Sequence, residues 1–193
     1  EGSASRPGVL MDGALAPGGS GEAAAGGPGG PGGQSPALAS DVRRPIIFLD
    51  IDGVLNRTRG ATHIRLDEDL VARFRSLVEK SGADICLSTF WRAFDGYIAY
   101  VLSRYGIPED RIIGRTPGRG HLGGTSALDE ASYADRSEEI TAWLAEHPEV
   151  TSFAILDDRE TAGRGCLSSH FVHVDTSVGL SDSDVSAALQ ALT

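Results

Sequence analysis

Ile46-Ile47-Phe48-Leu49 is a run of four apolar residues that breaks off into Asp50. The same figure recurs along the chain. Ile85-Cys86-Leu87 runs into Ser88-Thr89, Phe153-Ala154-Ile155-Leu156 into Asp157-Asp158, and Phe171-Val172-His173-Val174 into Asp175. Runs this short and this apolar suit strands buried on both faces, as in a parallel sheet. Helical stripes lie between them. Leu66, Leu70, Phe74, Leu77 and Val78 share one face of a helix opened by Asp67, Glu68 and Asp69 and ended by Gly82. Ile98, Val101, Leu102 and Tyr105 form a second stripe, with Gly106 as its C-terminal cap. Asp135, three residues before Glu138, opens a third, with Ile140, Trp143 and Leu144 on its buried face and Pro148 as its stop. Ser181 with Asp184 opens a fourth, carrying Val185, Ala188, Leu189 and Leu192. Ile112-Ile113 reads as one more short strand, and 114–134 as irregular. Strands alternating with helices predict an α/β fold, a three-layer sandwich around a central parallel five-stranded sheet.

Residues 1–44 do not share this pattern. They hold 12 of the 25 glycines and 5 of the 9 prolines, with no aromatic residue. Such a segment buries too little surface to offset its ordering entropy, so a disordered Gly/Pro/Ala-rich tail is expected there, with the folded domain over 45–193. The tail's charges sum to −1, which leaves −9 of the chain's −10 on the domain. That excess argues against a general nucleic-acid or anionic-membrane binder. Cys86 and Cys166 make no disulfide framework, no stretch is long and apolar enough for a membrane span, and the start is no secretory signal; an intracellular, reducing setting is the expectation. Asn56-Arg57-Thr58 reads as a chance glycosylation sequon.

In an open α/β sheet, ligands bind beyond the carboxyl ends of the strands. Asp50, Asp52, Ser88, Thr89, Asp157 and Asp158 all sit at such ends. Four carboxylates on neighbouring strands repel one another unless compensated, and oxygen ligands with open positions suit Mg²⁺, which keeps waters and binds substrate phosphate. The bland alternative is that these acids cap helices or face solvent. A carboxylate can also act as a nucleophile and carry a phosphoryl group that water later removes. That chemistry asks for a hydroxyl donor, a cation and a second acid. Ser88 or Thr89 offers the first, Arg136 the second, and Asp52 the third, since i and i+2 share a face in extended chain. Gly53 permits the sharp turn that follows.

Phe48-Leu49-Asp50-Ile51-Asp52-Gly53-Val54-Leu55 resembles the first motif of the haloacid dehalogenase (HAD) superfamily, DxDGxL after an apolar strand. Ser88-Thr89, Arg136 and Asp157-Asp158 resemble its other three motifs in order. The run Ser88-Thr89-Phe90-Trp91-Arg92, with the segments Arg136–Ile140 and Trp143-Leu144, is similar to a capless group that includes HAD domains of RNA-repair proteins. The resemblance covers roughly 45–192. It implies a HAD-like Rossmannoid fold whose first strand lies between the second and the fourth, and a Mg²⁺-dependent phosphomonoester hydrolase working through an aspartyl-phosphate. Asp50 is then nucleophile and metal ligand, and Asp52 acid/base, lending its main-chain carbonyl to the metal. Ser88 or Thr89 holds phosphoryl oxygens, Arg136 steadies the phosphoaspartate, and Asp157, with Asp158, completes the metal site.

Only residues 53–66 separate the first motif from the next helix, and 114–134 precede the third, so no cap domain fits and an open site is expected. An open crevice has few walls for a small metabolite and suits a phosphate on a macromolecule, protein or nucleic-acid end. Trp91 and Arg92 read either as a packing pair or as a rim contact, Trp stacking on a base or sugar and Arg meeting a second phosphate. The five histidines show no metal-ligand spacing; His170 and His173 read as packing or surface, and His121 as a solvated loop residue. Two other functions compete. A receiver-like phosphoacceptor domain would place its acidic pair before the phosphorylated Asp and has no use for Asp52. A non-catalytic phospho-binding or scaffold domain would keep the fold without turnover.

Overall fold

The computed structural model describes residues 44–58, 62–118, 133 and 135–193. The tail expected over 1–44 lies outside the described residues, Arg44 apart, as does His121. Residues 41–193 form one compact unit.

Five strands carry the sheet: β1 (Ile46–Leu49), β2 (Asp84–Leu87), β3 (Ile112–Arg115), β4 (Phe153–Asp157) and β5 (Phe171–His173). Their order is β3-β2-β1-β4-β5, every pairing parallel. The central position of β1 follows from its composition. All four of its residues are buried, which only a strand covered on both faces sustains. Side chains alternate across the sheet. Ile47, Leu49, Ile85, Leu87, Ala154 and Leu156 enter one core, and Ile46, Phe48, Cys86, Phe153 and Ile155 the other. Helices α1 (Glu68–Ser81), α2 (Asp95–Ser103) and α4 (Asp182–Ala191) cover the first face, and α3 (Arg136–Glu146) the second. This is the expected three-layer sandwich. On the α3 side, Phe48 meets Trp143 and Phe153 edge-to-face, at ring-centroid distances of 5.3 and 5.8 Å. Burying one such ring is worth about 1.5–3 kcal/mol from area alone.

Helix ends follow local chemistry. Gly82 takes a left-handed φ of 65° and its N–H closes α1 on the Val78 carbonyl at 2.9 Å. Asp135 accepts from the N–H groups of Ser137 and Glu138 at the start of α3, and Ser181 with Asp184 forms a complete capping box for α4. Several boundaries differ from the sequence reading; Leu66 precedes α1 and Leu192 follows α4. Helix α2 ends at Ser103, and Arg104–Ile107 leave it through tight turns, Gly106 N–H bonding Ser103 and Ile107 N–H bonding Leu102. Tyr105 keeps the apolar period but lies past the helix. Gly114 and Arg115, expected in irregular chain, belong to β3, and β5 stops one residue before Val174. No described helix is long and apolar enough to cross a membrane.

Candidate active site

Parallel strands present their carboxyl ends on one edge, and the chain moves outward in opposite directions on the two sides of β1. A crevice opens at such a reversal. Backbone bonds bring the three strand ends level there: Ser88 N–H donates to the Leu49 carbonyl at 2.8 Å, and Asp50 N–H to the Leu156 carbonyl at 3.0 Å. Asp50, Asp157 and Asp158, all buried, each offer a carboxylate oxygen, and these oxygens lie within 4.8 Å of one another.

Three acids out of water and this close are held against their own repulsion. Burial raises the Asp50 carboxyl above the usual range; Arg136 and a hydrogen bond from Thr89 oppose the rise, and Asp158 adds to it. Burial, then the charge of Asp50, pushes Asp157 up to about 7 against the pull of Arg136. Asp157 Oδ1 accepts from Arg159 N–H at 2.8 Å, but Oδ2 is buried with no hydrogen-bond partner among the described residues. An orphaned carboxylate oxygen facing two further acids is the donor set a hard divalent cation requires. The residues present therefore fit a metal site. Thr176 steadies Asp158 through a 2.7 Å bond to Oδ2. Gly53, at φ 82°, is needed on two counts: a Cβ there would sit 2.7 Å from Asp158 Cγ.

Arg136 is the buried counter-charge. Nη1 lies 4.0 Å from Asp50 Oδ1 and 3.5 Å from Ser88 Oγ, and Nε 3.7 Å from Asp157 Oδ2. Burial works against its charge, but Asp50, Asp157 and Glu139 outweigh that and raise its pKa. Its place follows from α3, whose first residue it is, so the helix starts beside the acid cluster that its side chain reaches. Ser88 and Thr89 divide the hydroxyl role: Ser88 faces Arg136, and Thr89 reaches Asp50.

Asp52 stands apart from the three-acid cluster. Its Oδ1 accepts from Asn56 Nδ2 at 2.8 Å and its Oδ2 from Trp91 Nε1 at 3.0 Å. With Asp50, Asp158, Arg159, Glu160, Thr161 and His173 it lines a cleft of about 390 Å³. A second cleft, holding Phe90 and Tyr133, shares Arg159 and Thr161 as its border.

Trp91 and Arg92 are interior residues, only 3% and 2% exposed. The rim reading of the pair does not match this geometry. Arg92 gives Nε to the Thr89 carbonyl, Nη1 to Thr116 and Pro117 and Nη2 to Glu139, 2.7 Å away, so where it lines the second cleft its charge is already matched by Glu139. Phe90, 46% exposed, takes the rim instead. Glu139 joins Arg92 to Arg136, whose Nε is 3.6 Å from the same oxygen. Sequence reasoning passed over it, although its i,i+3 spacing from Arg136 on a helix was a usable signal. From sequence alone Asn56 reads only as part of a sequon. It is fully buried, so no glycan reaches it in the folded chain. His170 and His173 bond main-chain carbonyls of Phe153 and Asp158.

A family model described as "HAD domain in Swiss Army Knife RNA repair proteins" matches residues 46–185, and the chain belongs to that family. No curated protein and no solved structure matches the chain.

Proposed function

We propose that this domain hydrolyses phosphomonoesters with Mg²⁺ through a phosphoaspartate on Asp50. The observation that carries the reading is the buried cluster of Asp50, Asp157 and Asp158, with its one unpartnered oxygen and Arg136 beside it. Asp50, Asp157 and Asp158 would hold the ion, with the main-chain carbonyl of Asp52. Bound there, Mg²⁺ would supply charge neutralisation for the phosphoryl oxygens.

The chain's own residues do the rest. An Asp50 oxygen attacks phosphorus while the bond to the leaving oxygen breaks, and Asp52 gives that oxygen its proton. Asp52, now ionised, takes a proton from water as the water attacks phosphorus, and the bond to Asp50 breaks to release phosphate. Ser88 and Thr89 orient the transferring group, and Arg136 stabilises charge on phosphoryl and carboxylate oxygens in a site with little water to screen it.

The mouth of the cleft supports a macromolecular substrate. The first motif runs into α1 over a short loop, with no inserted domain. Arg159 has no ion-pair partner among the described residues and borders both clefts, so it offers a cation to the part of a substrate that is not transferred. The family's description places such domains in RNA repair proteins, and a phosphorylated polynucleotide end is the substrate we assign. The domain's net negative charge makes non-specific backbone attraction weak, so recognition falls to the terminal phosphate and its neighbour. The test is phosphate release from 3′- and 5′-phosphorylated oligonucleotides and from aryl phosphate, with Mg²⁺ and with EDTA, in wild type and Asp50→Asn. Release that needs Mg²⁺ and vanishes in Asp50→Asn is expected; release that survives in Asp50→Asn refutes the reading.

A further inference from the structure

We propose that Trp91 is a positioning residue, its indole N–H holding the Asp52 carboxylate toward the cleft and out of the Asp50-Asp157-Asp158 cluster. The inference rests on the reading of Asp52 as the group that moves the proton.

Asp52 needs such a hold. It follows Asp50 by two residues, and three acids with a metal-like arrangement lie next to it. A carboxylate free to rotate there is drawn to the same cation as they are and loses its line to the leaving oxygen. Two neutral donors prevent this. Asn56 takes Oδ1, and Asn56 cannot turn, because its amide also donates to the Arg65 carbonyl at 2.9 Å and accepts from the N–H groups of Gly53 and Thr58 at 3.2 and 3.0 Å. Trp91 takes Oδ2. Its own backbone N–H donates to Thr89 Oγ1 at 3.3 Å, and its ring lies in the main core near Phe94, centroids 6.2 Å apart. Indole is a donor only, so the one polar atom of a buried ring is spent on this carboxylate.

The contact also joins two loops. Asp52 belongs to the turn after β1 and Trp91 to the turn after β2, which supplies Ser88 and Thr89. One hydrogen bond thus sets the proton-transferring group relative to the groups that face phosphate. Misplacing a reacting group by about 1 Å can cost on the order of 10²-fold.

The test is built so that loss of packing and loss of the N–H separate. Trp91→Phe removes the donor and part of the ring; incorporation of benzothienylalanine at 91 replaces N–H by sulfur and keeps the shape. Each is measured on an alkyl and an aryl phosphate with Mg²⁺, alone and combined with Asp52→Asn. An alkyl leaving group needs a proton and an activated aryl group does not, so in the first, phosphoryl-transfer step, read by rapid quench, both variants should lose about tenfold more rate on the alkyl ester than on the aryl ester. KM should hold, and the extra loss should disappear in the Asp52→Asn background, as a double-mutant cycle demands of a residue acting through another. Wild-type rates on both esters in the benzothienylalanine protein, equal losses on the two esters, or a full further loss on top of Asp52→Asn each overturn the inference while the proposed hydrolysis stands. A wild-type protein that turns over neither ester overturns both.

Discussion

Asp157→Asn should make the metal-free protein more stable and remove its response to Mg²⁺. Asp157 is 1% exposed, and one of its oxygens has no hydrogen-bond partner among the described residues. Burial and the Asp50 charge push its carboxyl up to about 7, against about 3.9 in an unfolded chain. The folded state therefore holds a proton that the unfolded chain has released. Between those values stability falls as pH rises, and above about 7 the whole cost of the ionised group is present. At 1.4 kcal/mol per pKa unit the ceiling is about 4 kcal/mol, shared with Asp50. An amide removes the charge, keeps the acceptor for Arg159 N–H and places a donor toward the other acids. Weakened attraction for Arg136 offsets part of this, leaving a gain of about 2 kcal/mol. For a domain of this size that is roughly 4–8 °C in Tm. Differential scanning calorimetry at pH 8 in EDTA should show the rise, and the difference should shrink as pH falls until the two proteins converge near pH 4. Added Mg²⁺ should then raise wild type and leave the variant where it was. A variant less stable than wild type at pH 8 in EDTA would refute the reasoning, since the ionised carboxylate would then be favourably held without metal.

Gly53→Ala should abolish Mg²⁺-stimulated phosphate release and cost roughly 1–3 kcal/mol in denaturant titration, because φ 82° is strained for alanine and its Cβ would meet Asp158. Glu139→Gln leaves buried Arg92 and Arg136 without their shared carboxylate; a loss of about 3–5 kcal/mol, read as a Tm drop of roughly 6–20 °C, is expected. Arg159→Gln should raise KM severalfold for a phosphorylated oligonucleotide and leave aryl phosphate kinetics unchanged, a split visible in steady-state assays.

The sheet was legible because a parallel strand covered on both faces must be apolar throughout, and each such run stops where chain meets solvent and site. That one regularity located Asp50, Ser88, Thr89, Asp157 and Asp158 together. What it could not give is the direction of side chains in the turns that follow. Trp91 and Arg92 come directly after the second cluster, and nothing local says whether they point out to a ligand or back under it; the answer depends on Thr116, Pro117 and Glu139, far along the chain. The end of α2 was missed for a similar reason. Tyr105 preserves the helical period, but the chain has already tightened after Ser103, and both arrangements place its ring near the core. Asn56 gave no signal as a structural residue, since its four bonds lead to groups two to nine residues away in a turn whose shape the sequence does not state.

The central claim is that phosphate passes through Asp50. Wild type and Asp52→Asn are mixed with an aryl phosphate and Mg²⁺, quenched in acid within milliseconds, digested and analysed by mass spectrometry. The account predicts a phosphoryl group on the peptide containing Asp50, removed by hydroxylamine, and more of it in Asp52→Asn, where water has lost its base. Turnover with no labelled carboxylate, or a label on another residue, would contradict it.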